Sequence, residues 1–356
     1  MIIIEHAFEA VLYGVEENET LGRIPLDTDW EPAVESVRLL GLRRGLLAPE
    51  ELGCDATVSP IWHSTLGRPH VECIEVLIRA GRGQDVTQRF PLTYFAQAIL
   101  SSSKTLEDEG KIRDSEEFNY YVTAYQNSEA DRRGNERAYK INDAPPNIHI
   151  AEQDSDGLYD RSLPHGNRME EDIPVFISAH VLEDAEKLTR ESPTKETGGI
   201  LLGNLCRDPK SRDLFMSVSE QLPAEYTEST STHLTFTSET WVAVHAAIDL
   251  RRQSEMILGF WHSHIPIEWC RKCLPERREN CHWAKGFFSA DDRALHRAIF
   301  PRAYSIALVE TFTEAGVKHD LFGWRDGLIK SRGFNSVPVS HPSCVTNLES
   351  AGEHIS

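Results

Sequence analysis

Apolar positions recur along the chain with two different spacings, and the changes of spacing mark out its elements. Val71-Glu-Cys-Ile-Glu-Val-Leu-Ile78 alternates in part and is rich in β-branched residues, which predicts a strand. Phe90 to about Leu106 suits a helix, and Phe118 to Tyr125 predicts another strand. From Asn127 to Glu171 the chain turns to Asp, Glu, Asn, Arg, Ser and Gly around Pro145-Pro146 and reads as a linker. Within it, Asn147-Ile-His-Ile150 is a short apolar patch that could dock as a strand.

Regular patterning returns at Ile173. Pro174 to Ser178 predicts a short strand, and Val181, Leu182, Ala185 and Leu188 fall on one helix face. Thr197 to Leu205 predicts a glycine-containing strand, and Asp213 to Gln221 another. Ser238 to about Gln253 predicts a helix with Trp241, Val244, His245 and Ile248 on one side. Met256 to Trp261 is an apolar strand that runs into His262. Ser289 to Ile299 follows as a helix, then strands at Tyr304 to Glu310 and Val317 to Trp324. The expected organisation is α+β: a mixed amino-terminal domain over residues 1–126, a polar linker over 127–171, and a mixed sheet flanked by helices over 172–332. A loose tail is expected over 333–356.

Composition narrows the class. The chain has 356 residues, too many for one ordinary core, and 40% hydrophobic with 26% charged residues is a globular balance. No apolar run reaches the roughly 20 residues of a membrane span. Met-Ile-Ile-Ile-Glu-His lacks a basic leader, so cytoplasmic residence without membrane attachment is the expectation. A net charge of −19, from 56 acidic against 37 basic side chains, argues against a general nucleic-acid binder. Seven cysteines, four of them isolated (Cys54, Cys73, Cys206, Cys344), read as reduced thiols and not as a disulfide framework.

The candidate chemistry begins at Trp261-His262-Ser263-His264. Residues two apart on a strand point to one side, so both imidazoles face one point, as a pair of zinc ligands must. Taken alone the pair is modest evidence, since most such histidines are solvated or locally bonded. Ser289-Ala-Asp-Asp292 reads first as a capping box, and the same geometry would offer Asp292 as an oxygen ligand. Glu196-Thr-Gly-Gly-Ile-Leu-Leu-Gly203 is a third piece. Glycines inside an apolar strand imply close approach of a backbone or ligand, and a carboxylate leading the strand could serve as a general base.

In this order, the carboxylate, glycine-rich strand, His-Ser-His and Ser-x-x-Asp resemble the signature of JAMM-type (MPN-type) zinc metallopeptidases, over about Ile173 to Asp326. The resemblance implies that His262, His264 and Asp292 bind a catalytic zinc with one position left for water. It also implies that Glu196 is the general base and that Ser289 stabilises the oxyanion. Implied substrates are a ubiquitin-like protein and its conjugates or precursors. Implied partners are relatives of activating and conjugating enzymes, as in bacterial conjugation operons, with residues 1–126 recruiting the modifier or a partner. A sulfur-carrier or small-molecule amide hydrolase and a non-catalytic scaffold subunit are the alternatives.

One departure from the family pattern stands out. Where the family has a short spacer, residues 265–288 intervene between the second histidine and the serine, and they carry Cys270, Cys273, Cys281 and His282. Cys-x-x-Cys followed by Cys-His can donate four ligands to a second, structural zinc. A reduced exposed loop and a redox pair remain the other readings.

Overall fold

Alternating apolar residues build the amino-terminal sheets of the computed structural model. It describes residues 1–15, 20–63, 70–81, 84–113, 117–126, 148–224, 227–229, 234–265, 286–313 and 316–338. The first part runs β1 (Ile2–Ile4), β2 (His6–Gly14), β3 (Thr20–Leu26), α1 (Glu31–Arg43), β4 (Ala56–Trp62), β5 (Val71–Arg79), β6 (Asp85–Pro91), α2 (Ala96–Asp108) and β7 (Phe118–Gln126). One sheet has the order β1-β4-β5-β6 and a second the order β3-β2-β7. The strands expected at Val71 and Phe118 are therefore present. The helix expected from Phe90 starts later. Val86 and Phe90 both face the core from β6, Pro91 is extended, and a short 3-10 turn (Leu92–Phe95) precedes α2. Proline has no N–H to continue a helical ladder, so the strand reading wins there.

The second part runs β8 (Ile150–Glu152), α3 (Asp156–Tyr159), β9 (Leu163–His165), β10 (Val175–Ser178), α4 (Ala179–Glu191), β11 (Gly198–Arg207), β12 (Leu214–Pro223), β13 (Thr227–Ser229) and β14 (Leu234–Phe236). It continues through α5 (Ser238–Arg251), β15 (Met256–His264), α6 (Ala290–Ile299), β16 (Ile306–Thr313), β17 (Gly316–Arg325), β18 (Leu328–Arg332) and β19 (Phe334–Val337). A ten-stranded mixed sheet has the order β18-β17-β16-β15-β11-β12-β10-β19-β9, with β8 alongside β11. The fold is α+β, as its helices and several sheets require.

Two boundaries differ from the expectation. Residues 148–165, inside the expected linker, are ordered: Ile150 pairs with Leu205, and β9 pairs with β19. Phe334–Val337, inside the expected tail, pairs with both β10 and β9. Both segments are short and locally polar, so only the sheet they join gives them partners for their backbone groups. On α5, Trp241 and Ile248 pack on the core and Val244 is buried, but His245 is exposed. The apolar stripe there is narrower than the spacing suggests.

The two parts share one apolar core, which runs from Leu12, Val37 and Phe90 into Leu201, Leu258 and Leu308. The β17–β18 turn seats against α1 and β6. Gly327 N–H donates to Ser36 Oγ at 2.8 Å, and Gln88 Nε2 donates to Asp326 Oδ1 at 2.7 Å. Gly327 has φ +71, and a Cβ there would lie 3.1 Å from Ala33 N, so turn geometry and close approach both require glycine.

Asp172 locks the start of β10 to the far end of the sheet. Its carboxylate accepts from Arg325 Nε at 2.7 Å and faces Arg332 Nε at 3.5 Å, while Arg332 Nη2 donates to Ile173 O at 2.6 Å. Burial would raise the Asp172 pKa, but the Arg325 bond and the Arg332 charge outweigh it and hold it low. Removing one partner leaves a buried charge unmatched, so Asp172→Ala is expected to cost about 3–5 kcal/mol in urea-unfolding free energy. A loss below about 1 kcal/mol would refute this role.

Candidate metal centre

Strand register brings the functional side chains together. β15 is apolar through Trp261 and then ends in His262-Ser263-His264, flanked by β11 and β16. Alternation turns Phe260, His262 and His264 to the face covered by α5 and α6, and Trp261 and Ser263 to the opposite face. Gly198 pairs with His262 in the antiparallel ladder, and Ser263 N–H donates to Thr197 O at 2.8 Å. Carried two residues back, this register sets Glu196 across from His264.

The glycines of β11 serve close approach, as expected from the sequence. A Cβ on Gly199 would lie 2.5 Å from both Leu222 O and Trp261 Nε1, and one on Gly203 would lie 2.0 Å from Ser217 O. The neighbours are backbone of β12 and the side chains of Trp261, Gln221 and Leu258, so these glycines pack the strand against its neighbours.

Asp292 arrives on α6. Ser289 is the N-cap: Asp292 N–H donates to Ser289 Oγ at 3.0 Å, and Ser289 N–H donates to Asp292 Oδ2 at 2.7 Å. This capping box orients the carboxylate towards the histidines. His262 Nε2 lies 3.2 Å from Asp292 Oδ1, His264 Nε2 lies 3.4 Å from Asp292 Oδ2, and the two Nε2 atoms are 3.0 Å apart. Ligand atoms held about 2.0–2.2 Å from a tetrahedral zinc stand about 3.3–3.5 Å from one another, and these separations, with each histidine facing its own oxygen of Asp292, are close to that range. His262, His264 and Asp292 could hold a metal ion.

Burial and charge set the protonation of the group. Both histidines are 2% exposed. Burial lowers the pKa of each, and Asp292 opposes it. The outcome is His262 above its ordinary value, helped by Glu196, and His264 below. Burial would raise Asp292, but the two facing rings hold its carboxyl well below the usual range. Glu196 is 4% exposed, and burial pushes its pKa up to about 7, with Asp292 adding to the rise and His262 opposing it. A cation at the cluster would draw it down again.

Of the residues singled out in the sequence, Glu196, His262, His264, Ser289 and Asp292 gather here. Cys270, Cys273, Cys281 and His282 lie outside the described residues. Ser263, fully buried between the two histidines, joins the gathered residues in the structure. The only signal pointing to it was its position beside them on a buried strand.

No protein-family model matches the chain, and no curated protein matches it. Among solved structures, the solution structure of protein DSY2949 from Desulfitobacterium hafniense is similar at 17% identity and a TM-score of 0.32. That match covers 46% of this chain and 92% of that one. No helix among the described residues is long and apolar enough to cross a membrane.

Behind the ligands, His296 on α6 is fully buried among Phe260, Phe288, Phe300 and Trp324. Burial, with Arg332 acting in the same direction, lowers its pKa to about 3. The unfolded chain, with a pKa of about 6.5, binds a proton that the native state refuses between those values, so stability falls as pH drops through that window. Between pH 7 and 5 this histidine is expected to cost the wild type about 2 kcal/mol. In His296→Phe that part of the acid loss should be absent from paired unfolding curves, and an identical loss in both proteins would contradict it.

Proposed function

We propose that the chain is a zinc-dependent isopeptidase or peptidase that cleaves a ubiquitin-like protein from a conjugate or precursor. The observation that carries this reading is the convergence of His262 Nε2, His264 Nε2 and the Asp292 carboxylate at separations of 3.0, 3.2 and 3.4 Å, with a buried carboxylate, Glu196, beside them. Imidazole and carboxylate donors suit zinc, and three protein ligands leave a coordination position available for chemistry. The order of these residues along the chain, like that of the JAMM-type metallopeptidases, adds the substrate class.

His262, His264 and Asp292 would hold the zinc, which when bound polarises a carbonyl and brings the pKa of water towards about 7. Glu196 takes the proton of the attacking water and passes it to the leaving amine. Its place across from His264 puts it on the ligand face of the sheet. Ser289 caps α6 through its Oγ beside Asp292, from where its hydroxyl can donate to a developing oxyanion. His264, with its lowered pKa, stays neutral and so remains a competent donor.

The same reading gives residues 1–126 a part in recruiting the modifier or its activating and conjugating enzymes. It sets the enzyme in the cytoplasm, where Cys270, Cys273 and Cys281 stay reduced and, with His282, hold a second, structural zinc.

Atomic spectroscopy of the purified chain is expected to count about two zinc ions. Replacing both His262 and His264 by Ala should remove one, and Cys270→Ser with Cys273→Ser the other. A count unchanged by the histidine replacements would rule out the catalytic site.

Activity is tested on a panel of ubiquitin-fold modifiers, each joined through its terminal glycine to a reporter protein. The zinc-loaded chain should cut at the junction. Glu196→Ala should abolish cutting with zinc retained, and Ser289→Ala should slow it by about a hundredfold. Zinc-loaded protein inert towards every fusion but active on small amides would favour the small-molecule hydrolase. Inertness towards both would favour a scaffold.

A further inference from the structure

Ser263 lies between two metal-ligand histidines but faces away from them, and it is fully buried. Its side chain has a definite task in the structure. Thr197 N–H donates to Ser263 Oγ at 2.8 Å, and Thr197 Oγ1 stands 3.3 Å from the same oxygen. Ser263 N–H in turn donates to Thr197 O at 2.8 Å. The regular pairing of β11 with β15 stops at Gly198, opposite His262. Ser263 therefore extends the contact one residue further, with its hydroxyl taking the place of a strand carbonyl.

The residue held this way is the direct neighbour of Glu196. The approach to Glu196 from α4 is weakly tied: residues 193–195 are exposed, and Ser192 Oγ to Lys195 O at 3.1 Å is a local turn bond. Among the described residues no hydrogen bond reaches the Glu196 carboxylate itself. The backbone at Thr197 is thus what sets its place, and both direct bonds there come from Ser263. A carboxylate misplaced by about 1 Å loses most of its value as a base.

We propose that Ser263 is a positioning residue, which ties the strand bearing both histidines to the backbone of Glu196 and so fixes the distance between base and metal. This rests on the metallopeptidase reading above. It adds that the His-x-His element needs a small hydroxyl residue in its middle, for a reason separate from metal binding. Alanine would keep the strand and its ligands but leave the Thr197 N–H unanswered. Threonine would keep the acceptor on a β-branched residue suited to a strand.

The test reads the position of Glu196 without needing a substrate. The full chain is loaded with Co2+, and acetohydroxamate is titrated at fixed pH through the change in the visible Co2+ spectrum. This ligand chelates the metal and hydrogen-bonds the neighbouring carboxylate, so its affinity reports their separation. Ser263→Ala should bind Co2+ with the wild-type stoichiometry and spectrum, yet hold acetohydroxamate about tenfold more weakly, close to Glu196→Gln. Ser263→Thr should stay within about twofold of the wild type. Ser263→Cys, nearly isosteric and a poor acceptor, should follow Ser263→Ala and serves if the alanine protein does not fold. Wild-type affinity in Ser263→Ala or Ser263→Cys, with Glu196→Gln weakened, overturns the positioning role and leaves the metallopeptidase reading standing. Absence of Co2+ binding by the wild type, or a Glu196→Gln protein with unchanged affinity, sinks that reading and this inference with it.

Discussion

The antiparallel register between β11 and β15 is the constraint on which the site depends. Gly198 stands opposite His262, so Glu196, two residues earlier, stands across from His264 on the same face of the sheet. A slip of one residue would turn the carboxylate to the opposite face. Several features guard the register. Gly199 and Gly203 admit the backbone of β12 at distances no side chain allows, and Trp261 Nε1 donates to Gln221 Oε1 at 2.9 Å. The Ser263–Thr197 contacts close the last step. The rigidity of the ladder is thereby passed on to a residue at its end.

Gathering two imidazoles and two carboxylates in a largely buried cluster carries an electrostatic cost, and the fold meets it with neighbours of opposite tendency. Asp292 holds His262 above its ordinary pKa, while the two rings hold Asp292 far below its own. At Glu196 burial, with the Asp292 charge added, outweighs His262, and its pKa rises to about 7. Two carboxylates with divergent environments would suit a division of labour between metal ligand and base under the proposed function. The cap of α6 adds to this contrast, since one capping box both starts the helix and aims Asp292 at the histidines.

The amino-terminal sheets are not a loosely tethered appendage. One apolar core runs through both parts, and the β17–β18 turn reaches into the angle between α1 and β6. Arg302 Nη1 to Glu35 Oε1 at 3.1 Å and Arg207 Nη2 to Leu42 O at 2.8 Å add polar ties. Residues 1–126 and the large sheet are therefore held in a set orientation towards one another.

The sequence by itself determined the α+β class, most of the strands and helices, and the convergence of the two histidines, because each follows from local periodicity. The capping box was legible for the same reason: Ser289 and Asp292 are three residues apart. What only the tertiary structure decided lies beyond the reach of local patterns. Residues 151–165 and 334–337 looked too polar to order, and only the apolar patch ending at Ile150 suggested a docking strand, yet sheet partners distant in the chain supply the hydrogen bonds they lack. The meeting of Asp292 with His262 and His264 needs the α6 cap and the end of β15 brought together in space. The role of Ser263 could not be read at all, since it depends on which strand lies beside it. Periodicity tells which way a side chain points along its own element, and only packing decides what it meets there.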